Sequence, residues 1–217
     1  SIVAMFRKPN RSNPYSFGEN DWTDENWIEG VSDYFLSKTK AERAAWEFME
    51  SKGLKNKLTT INPGGVFGNA LDKKGGTSIE YVRQFLKGKF PAAPKFAVLI
   101  SDVKDVAKSH VACIGNKKVG GRRLIVGKEV KKLVELSQIM AEAMPEYEKK
   151  VPKKELPNFM VKLISYFDSS AKTMIPDLGI TMQTDTTYSE ELLGLKFKGA
   201  KDCISENAKS VVKLGLV

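Results

Sequence analysis

The chain opens on a short apolar stretch, SIVAM, which reads as the end of a strand. Residues 6–32 then lose apolar periodicity and are rich in Asn, Pro, Ser and Gly, which predicts a long surface loop. Loops of this length are usually functional or disordered, and Trp22 and Trp27 imply that part of this one packs. Order begins at residue 33. Residues 33–52 read as a helix, with Ser32 or Asp33 to cap its start and Gly53 where a C-terminal glycine belongs. LTTINP, 58–63, is β-branched and stops at proline, as a buried strand would. A glycine-rich loop, GGVFGNALDKKGG, follows. SIEYVRQFLKGK, 78–89, places Ile79, Val82, Phe85 and Leu86 on one helical face. FAVLI, 96–100, is a short apolar strand. DVKDVAKSHVACIG reads as a helix capped by Asp102, with Val103, Val106, Ala107 and Val111 as its apolar face, and RRLIVG as another strand.

From 33 to 127 helix and strand therefore alternate three times. This order predicts an α/β layered fold with a largely parallel sheet. Beyond 128 helices dominate: KEVKKLVEL (128–136) alternates lysines with apolar residues as an amphipathic helix does. Further helices are predicted over 130–144, 155–167 and roughly 200–214.

Charge and cysteine content narrow the partners. The formal net charge is +9, but the lysines are spread along the chain and no nucleic-acid module accompanies them, so they read as a solvated surface. No apolar run reaches the ~18 residues of a membrane span, and no leader peptide is visible. The two cysteines, Cys113 and Cys203, form neither a metal pattern nor a disulfide framework, which fits a reducing cytosol. His110 is the single histidine and reads as a satisfied core or surface residue. Expected partners are therefore a small molecule, with no nucleic acid and no membrane, and a monomer is the default.

The candidate chemistry lies in YFLSKTKAERAAWEF, 34–48. Tyr34 and Lys38 stand four apart and so share a helix face. An ammonium beside a phenol favours phenolate and makes a tyrosine a better general acid at neutral pH. A serine or threonine hydroxyl nearby could hold a carbonyl oxygen as charge develops on it. The same spacing also fits an ordinary surface helix with Tyr34 half-buried and Lys38 in solvent. The strand that follows ends in Asn62-Pro63-Gly64-Gly65-Val66-Phe67-Gly68, whose glycines let backbone approach a ligand. Ligands of open α/β sheets bind beyond the carboxyl ends of the strands, though a plain turn would look the same.

YFLSKTKAERAAWEF, INPGGVFG, ISDVKDVAKSHVACI with GRRLIV after it, and LLGLKF before the last helix together resemble the extended short-chain dehydrogenase/reductases (the NAD-dependent epimerase/dehydratase superfamily). The closest branch is that of dihydroflavonol reductase, cinnamoyl-CoA reductase and the yeast-type methylglyoxal/aldehyde reductases. The resemblance covers nearly the whole chain. It implies the C-terminal part of a Rossmann-type doubly wound parallel sheet plus a small, mostly helical substrate-binding part. Residues 1–127 would hold the nucleotide-binding portion with interleaved substrate-domain segments, and 128–217 the helical substrate region.

By the same resemblance Tyr34 is the proton donor, Lys38 promotes its ionisation and holds the nicotinamide ribose, and Ser1 polarises the substrate oxygen. Pro63, Gly64 and Val66 line the nicotinamide, and Ser78 meets a cofactor phosphate. Asp102, Asp105 and His110 are structural. The implied activity is NADPH-dependent reduction of aldehydes or ketones, with NAD possible, in the cytoplasm. A nucleotide-sugar epimerase/dehydratase, a hydroxysteroid dehydrogenase or a non-catalytic NADP-binding protein are the alternatives.

Two departures stand out. VFGN replaces the usual VFGP, and the glycine-rich dinucleotide fingerprint is absent. The expectation is therefore an N-terminally truncated fragment, inactive by itself, a poor binder of NADPH, and with an exposed sheet edge. Selectivity is expected from 6–32, 69–77 and the helices after 129.

Overall fold

A computed structural model describes residues 1–74 and 76–217. Gly75, inside the predicted glycine-rich loop, lies outside the described residues. In chain order the elements are β1 (Tyr15–Ser16), α1 (Asp33–Ser51), β2 (Thr59–Pro63), β3 (Gly65–Phe67), α2 (Thr77–Leu86), β4 (Ala93–Pro94), β5 (Ala97–Asp102) and α3 (Val103–Cys113). They continue with β6 (Arg122–Val126), β7 (Glu129–Lys132), α4 (Leu133–Ala143), β8 (Glu155–Leu156), α5 (Asn158–Ile164), α6 (Ser169–Met174), β9 (Met182–Gln183), α7 (Thr187–Leu193) and α8 (Ala200–Lys213).

The α/β alternation is present, and the sheet is largely parallel. β2 pairs with β6 in parallel from Thr59↔Arg122 to Pro63↔Val126. β3 pairs in parallel with β5, and β7 closes the other edge of β5 antiparallel. β2 has no second strand partner among the described residues.

The apolar run of β5 is explained by burial on both faces. Successive side chains alternate across a strand. Val98 and Ile100 join the cluster built by α2, α4 and α8, while Ala97 and Leu99 join the cluster built by Phe6, Phe17, Phe35 and Ile125. β6 does the same, sending Ile125 to that second cluster and Leu124 and Val126 to a third with Leu193 and Phe197. On α2 the predicted face is the buried one: Val82, Phe85 and Leu86 lie inside and Ile79 packs against them.

Five expectations need correction. The opening residues form a 3-10 turn over Ile2–Ala4, not the end of a strand. Part of the glycine-rich loop is strand β3, because Gly65–Phe67 can pair with the end of β5. The stretch 128–136 begins as strand β7 and becomes helix only at Leu133, since Glu129–Lys132 pairs with β5. The helix expected over 155–167 is only Asn158–Ile164, started after Pro157, with Val161 as its buried residue. Finally α3 is capped as expected, Asp102 accepting from the Lys104 N–H at 2.8 Å, but it is rotated. Its buried residues are Asp105 and Ser109, while Val103 and Val111 face outward. Asp105 is drawn inward by the backbone N–H of Lys198, which it accepts at 2.6 Å.

The segment 6–32 is packed. The Trp22 ring lies between the guanidinium groups of Arg123 (3.6 Å to the centroid) and Arg43 (4.3 Å). β1 pairs in parallel with β9, tying this segment to the C-terminal region.

Candidate active site

A cavity of about 950 Å³ opens just beyond the carboxyl end of β2, along β3 and the amino-terminal half of β5. Ser1, Tyr34, Gly64, Val66 and Ser78 all line it, so five of the seven residues singled out in the sequence share one space. Lys38 and Pro63 stand just outside the lining.

Tyr34 sits in the first turn of α1 and is 57% exposed. Its ring packs edge-on against Phe35, with centroids 6.2 Å apart. Helical spacing brings Lys38 back over it, with Nζ 5.7 Å from the ring centroid. Ser37, between them, is spent locally: its hydroxyl donates to the Tyr34 carbonyl at 2.8 Å.

The turn after β2 is set by sterics. A side-chain carbon on Gly64 would lie 2.2 Å from the Leu99 carbonyl oxygen, and one on Gly65 would lie 2.9 Å from the Val98 side chain. The Gly64 N–H donates to Ser101 Oγ at 2.9 Å, and Ser101 in turn donates to the Val126 carbonyl. One buried serine thus ties β2, β5 and β6 together where the cavity begins. Beyond the turn, Gly68 and Ala70 are held by α8, through the Asn207 amide on the Gly68 carbonyl and the Ala70 N–H on Ser210 Oγ.

Ser78 lies at the start of α2, in the cavity wall. The walls are otherwise mainly apolar, with Phe6, Phe17, Phe96, Leu136, Met140 and Met182 among them. Burial raises the Tyr81 phenol above its ordinary value, with the charge of Asp168 acting in the same direction. The side chains of Ser32 and Asn207 bring polar oxygens to the lining, Ser32 Oγ and Asn207 Oδ1, that have no hydrogen-bond partner among the described residues. His110 takes no part: its Nδ1 lies 2.8 Å from the Val106 carbonyl on the exposed side of α3.

The sequence reading missed the buried polar network beneath Tyr34. Glu42, on α1, accepts from Arg123 Nε at 2.7 Å and from Asn62 Nδ2 at 2.8 Å, and the Thr60 hydroxyl stands 3.0 Å from both Glu42 Oε1 and Asn62 Oδ1. Burial raises the Glu42 carboxyl, but the hydrogen bond and charge of Arg123 and the Asn62 amide outweigh it, so the net shift is downward. The sequence signals were a Glu one turn past Lys38 and the second Arg of a buried strand, and neither residue type predicts burial.

A cavity with an apolar body, an exposed phenol backed by an ammonium, and closely approached glycine backbone suits a flat ring and a polar reacting atom. These residues fit a nicotinamide cofactor: Gly64 and Val66 present backbone, Tyr34 and Ser1 present hydroxyl groups, and Ser32 and Asn207 offer unused acceptors.

No protein-family model matches the chain. An NADPH-dependent methylglyoxal reductase of Saccharomyces cerevisiae is 31% identical over 228 residues, spanning 98% of this chain and 61% of the relative. Cinnamoyl-CoA reductase 2 of Arabidopsis thaliana is 26% identical over 216 residues, spanning 99% of this chain and 58% of the relative. The crystal structure of yeast methylglyoxal/isovaleraldehyde reductase complexed with NADPH matches with a TM-score of 0.76 and 28% identity, over 100% of this chain and 63% of that one. The chain thus spans 58–63% of the length of these relatives.

Proposed function

The chain belongs to the extended short-chain dehydrogenase/reductase superfamily, in the branch of the dihydroflavonol, cinnamoyl-CoA and methylglyoxal reductases, and from that premise we propose that the whole protein is an NADPH-dependent reductase of aldehyde or ketone carbonyls. One observation carries this reading: Ser1, Tyr34 and Gly64–Val66 line a single cavity just beyond the end of β2, with Lys38 against the tyrosine ring.

Gly64 and Val66 would support the nicotinamide through backbone contacts, Lys38 its ribose, and Ser78 a phosphate. When bound, the cofactor supplies the hydride. Tyr34 gives its phenolic proton to the carbonyl oxygen, and the Lys38 charge stabilises the phenolate left behind. The Ser1 hydroxyl donates to the same oxygen as negative charge builds on it. The apolar walls, with Phe6, Phe17 and Met182, line the space around the reacting carbon. The activities for which these relatives are named, reduction of methylglyoxal and of cinnamoyl-CoA, support a carbonyl as substrate.

The test is Tyr34→Phe in the whole protein, assayed with NADPH and a panel of aldehydes and ketones. Removing a general acid is expected to lower kcat by ~10²–10⁴-fold while NADPH still binds, followed by cofactor fluorescence. Undiminished turnover in Tyr34→Phe, or products that are epimers or dehydration products rather than alcohols, would overturn the assignment.

A further inference from the structure

The proposed chemistry makes no use of the buried polar network under α1, yet that network touches Ser1. Glu42 lies four residues beyond Lys38 on the same helix and is 8% exposed. Its two carboxylate oxygens divide the work: Oε1 takes Arg123 and Oε2 takes Asn62. Asn62 is wholly buried and immediately precedes Pro63 and Gly64. Its amide nitrogen has two hydrogens. That nitrogen donates to Glu42 at 2.8 Å and to the Ser1 carbonyl oxygen at 3.1 Å, while the one Thr60 hydroxyl hydrogen is shared between Asn62 Oδ1 and Glu42 Oε1, each 3.0 Å away. Both amide hydrogens are therefore used, and the amide is a planar spacer between α1 and the backbone that bears Ser1.

A buried ion pair is a poor route to stability, because removing two charges from water costs about what their attraction returns. Its effect here is geometric. An ionised carboxylate accepts from both Arg123 and Asn62 with no proton of its own to place, and bonds to a charged acceptor are short and strong.

We propose that Asn62, oriented by Glu42, is a positioning residue of the site: it fixes the Ser1 backbone, and through it the Ser1 hydroxyl, relative to the phenol of Tyr34. This rests on Ser1 and Tyr34 being the reacting pair. Glu42 is on the helix of Tyr34 and Asn62 is on β2, two residues before Gly64, so one carboxylate and the amide it holds set the register of helix, strand and serine segment together. Misplacing a reacting group by ~1 Å can cost ~10²-fold in rate.

The test is a double-mutant cycle in the whole protein with Asn62→Ala, Ser1→Ala and the double variant. Asn62→Ala is expected to lower kcat by ~10–100-fold with KM for NADPH and for the carbonyl unchanged. Ser1→Ala should then cost far less in the Asn62→Ala background than alone, because the hydroxyl is already out of place. Additive losses, or a loss confined to KM, overturn the proposal. Should Asn62→Ala fail to fold, the same cycle with Glu42→Gln decides, since a glutamine amide turns a donor towards Arg123 or Asn62. If Ser1→Ala alone leaves kcat intact, the role of Ser1 fails and this proposal falls with it, while Tyr34→Phe still tests the reductase reading separately.

Discussion

Gly64 is the residue where backbone geometry is least negotiable. The sequence suggested that its glycine lets a ligand approach. The structure supplies a nearer cause: an added carbon would sit 2.2 Å from the Leu99 carbonyl oxygen and 2.8 Å from Leu99 Cβ. Backbone cannot yield as a flexible side chain can, so β2 and β5 would have to part. Parting them also strains the Gly64 N–H to Ser101 bond. Gly64→Ala is therefore expected to destabilise the fold by about 1–3 kcal/mol, as overpacking does, read as a lower denaturant midpoint with an unchanged slope. Wild-type stability in Gly64→Ala would mean that the turn tolerates a shift and that the contact with Leu99 is not the constraint.

At the scale of elements, what was legible depended on whether a pattern came from burial alone. α2 and α8 were readable because their apolar periodicity coincides with the buried face, and β5 and β6 because a short apolar run is buried on both faces. α1 and β2 were readable from their ends, Ser32 and Gly53 for the helix and Pro63 for the strand, since their buried residues include Thr39, Glu42 and Asn62. α3 was placed but turned wrongly, since polar residues decide its orientation: Asp105 reaches the Lys198 N–H and Ser109 turns inward. β7 was hidden because a lysine-rich edge strand running into an apolar helix gives one continuous amphipathic pattern. The site followed the same division. Ser1, Tyr34, Gly64, Val66 and Ser78 form a local motif or a motif with familiar spacing, whereas Glu42, Asn62 and Arg123 meet only through the fold.

That network gives α1 a pH dependence. The folded state holds the Glu42 carboxyl below its ordinary value of 4.5: burial opposes this, and Arg123 and Asn62 prevail. A group with a depressed folded value contributes its stability in full above the unfolded value and loses it as pH falls through the folded one. Unfolding free energy should therefore drop on acidification below about pH 4.5, and Glu42→Gln should flatten part of that drop. An identical acid slope in the variant would show that Glu42 contributes nothing to it.

At the scale of the whole molecule, a second buried ion cluster joins residues 170 positions apart. Arg7 donates to Asp177 through Nε at 3.0 Å and Nη2 at 2.6 Å, and Arg11 reaches the other carboxylate oxygen at 2.7 Å. Asp177 is buried and both arginine side chains are 2% exposed. Arg7 also lies 3.5 Å over the Phe35 ring and donates to the Gly30 carbonyl. One carboxylate thus clamps the start of the 6–32 segment to the turn before β9, and that segment carries Phe6 and Phe17 into the cavity wall. Removing Asp177 strands two buried cations, a loss expected to cost about 3–5 kcal/mol. Much of it should be local, because this segment has little regular structure of its own beyond β1. Limited proteolysis of Asp177→Ala under native conditions, mapped by mass spectrometry, should therefore cut first within 8–32, before the helices of the core are reached. First cleavage around α5 and α6 instead would mean that the clamp holds the C-terminal turn rather than the long N-terminal segment.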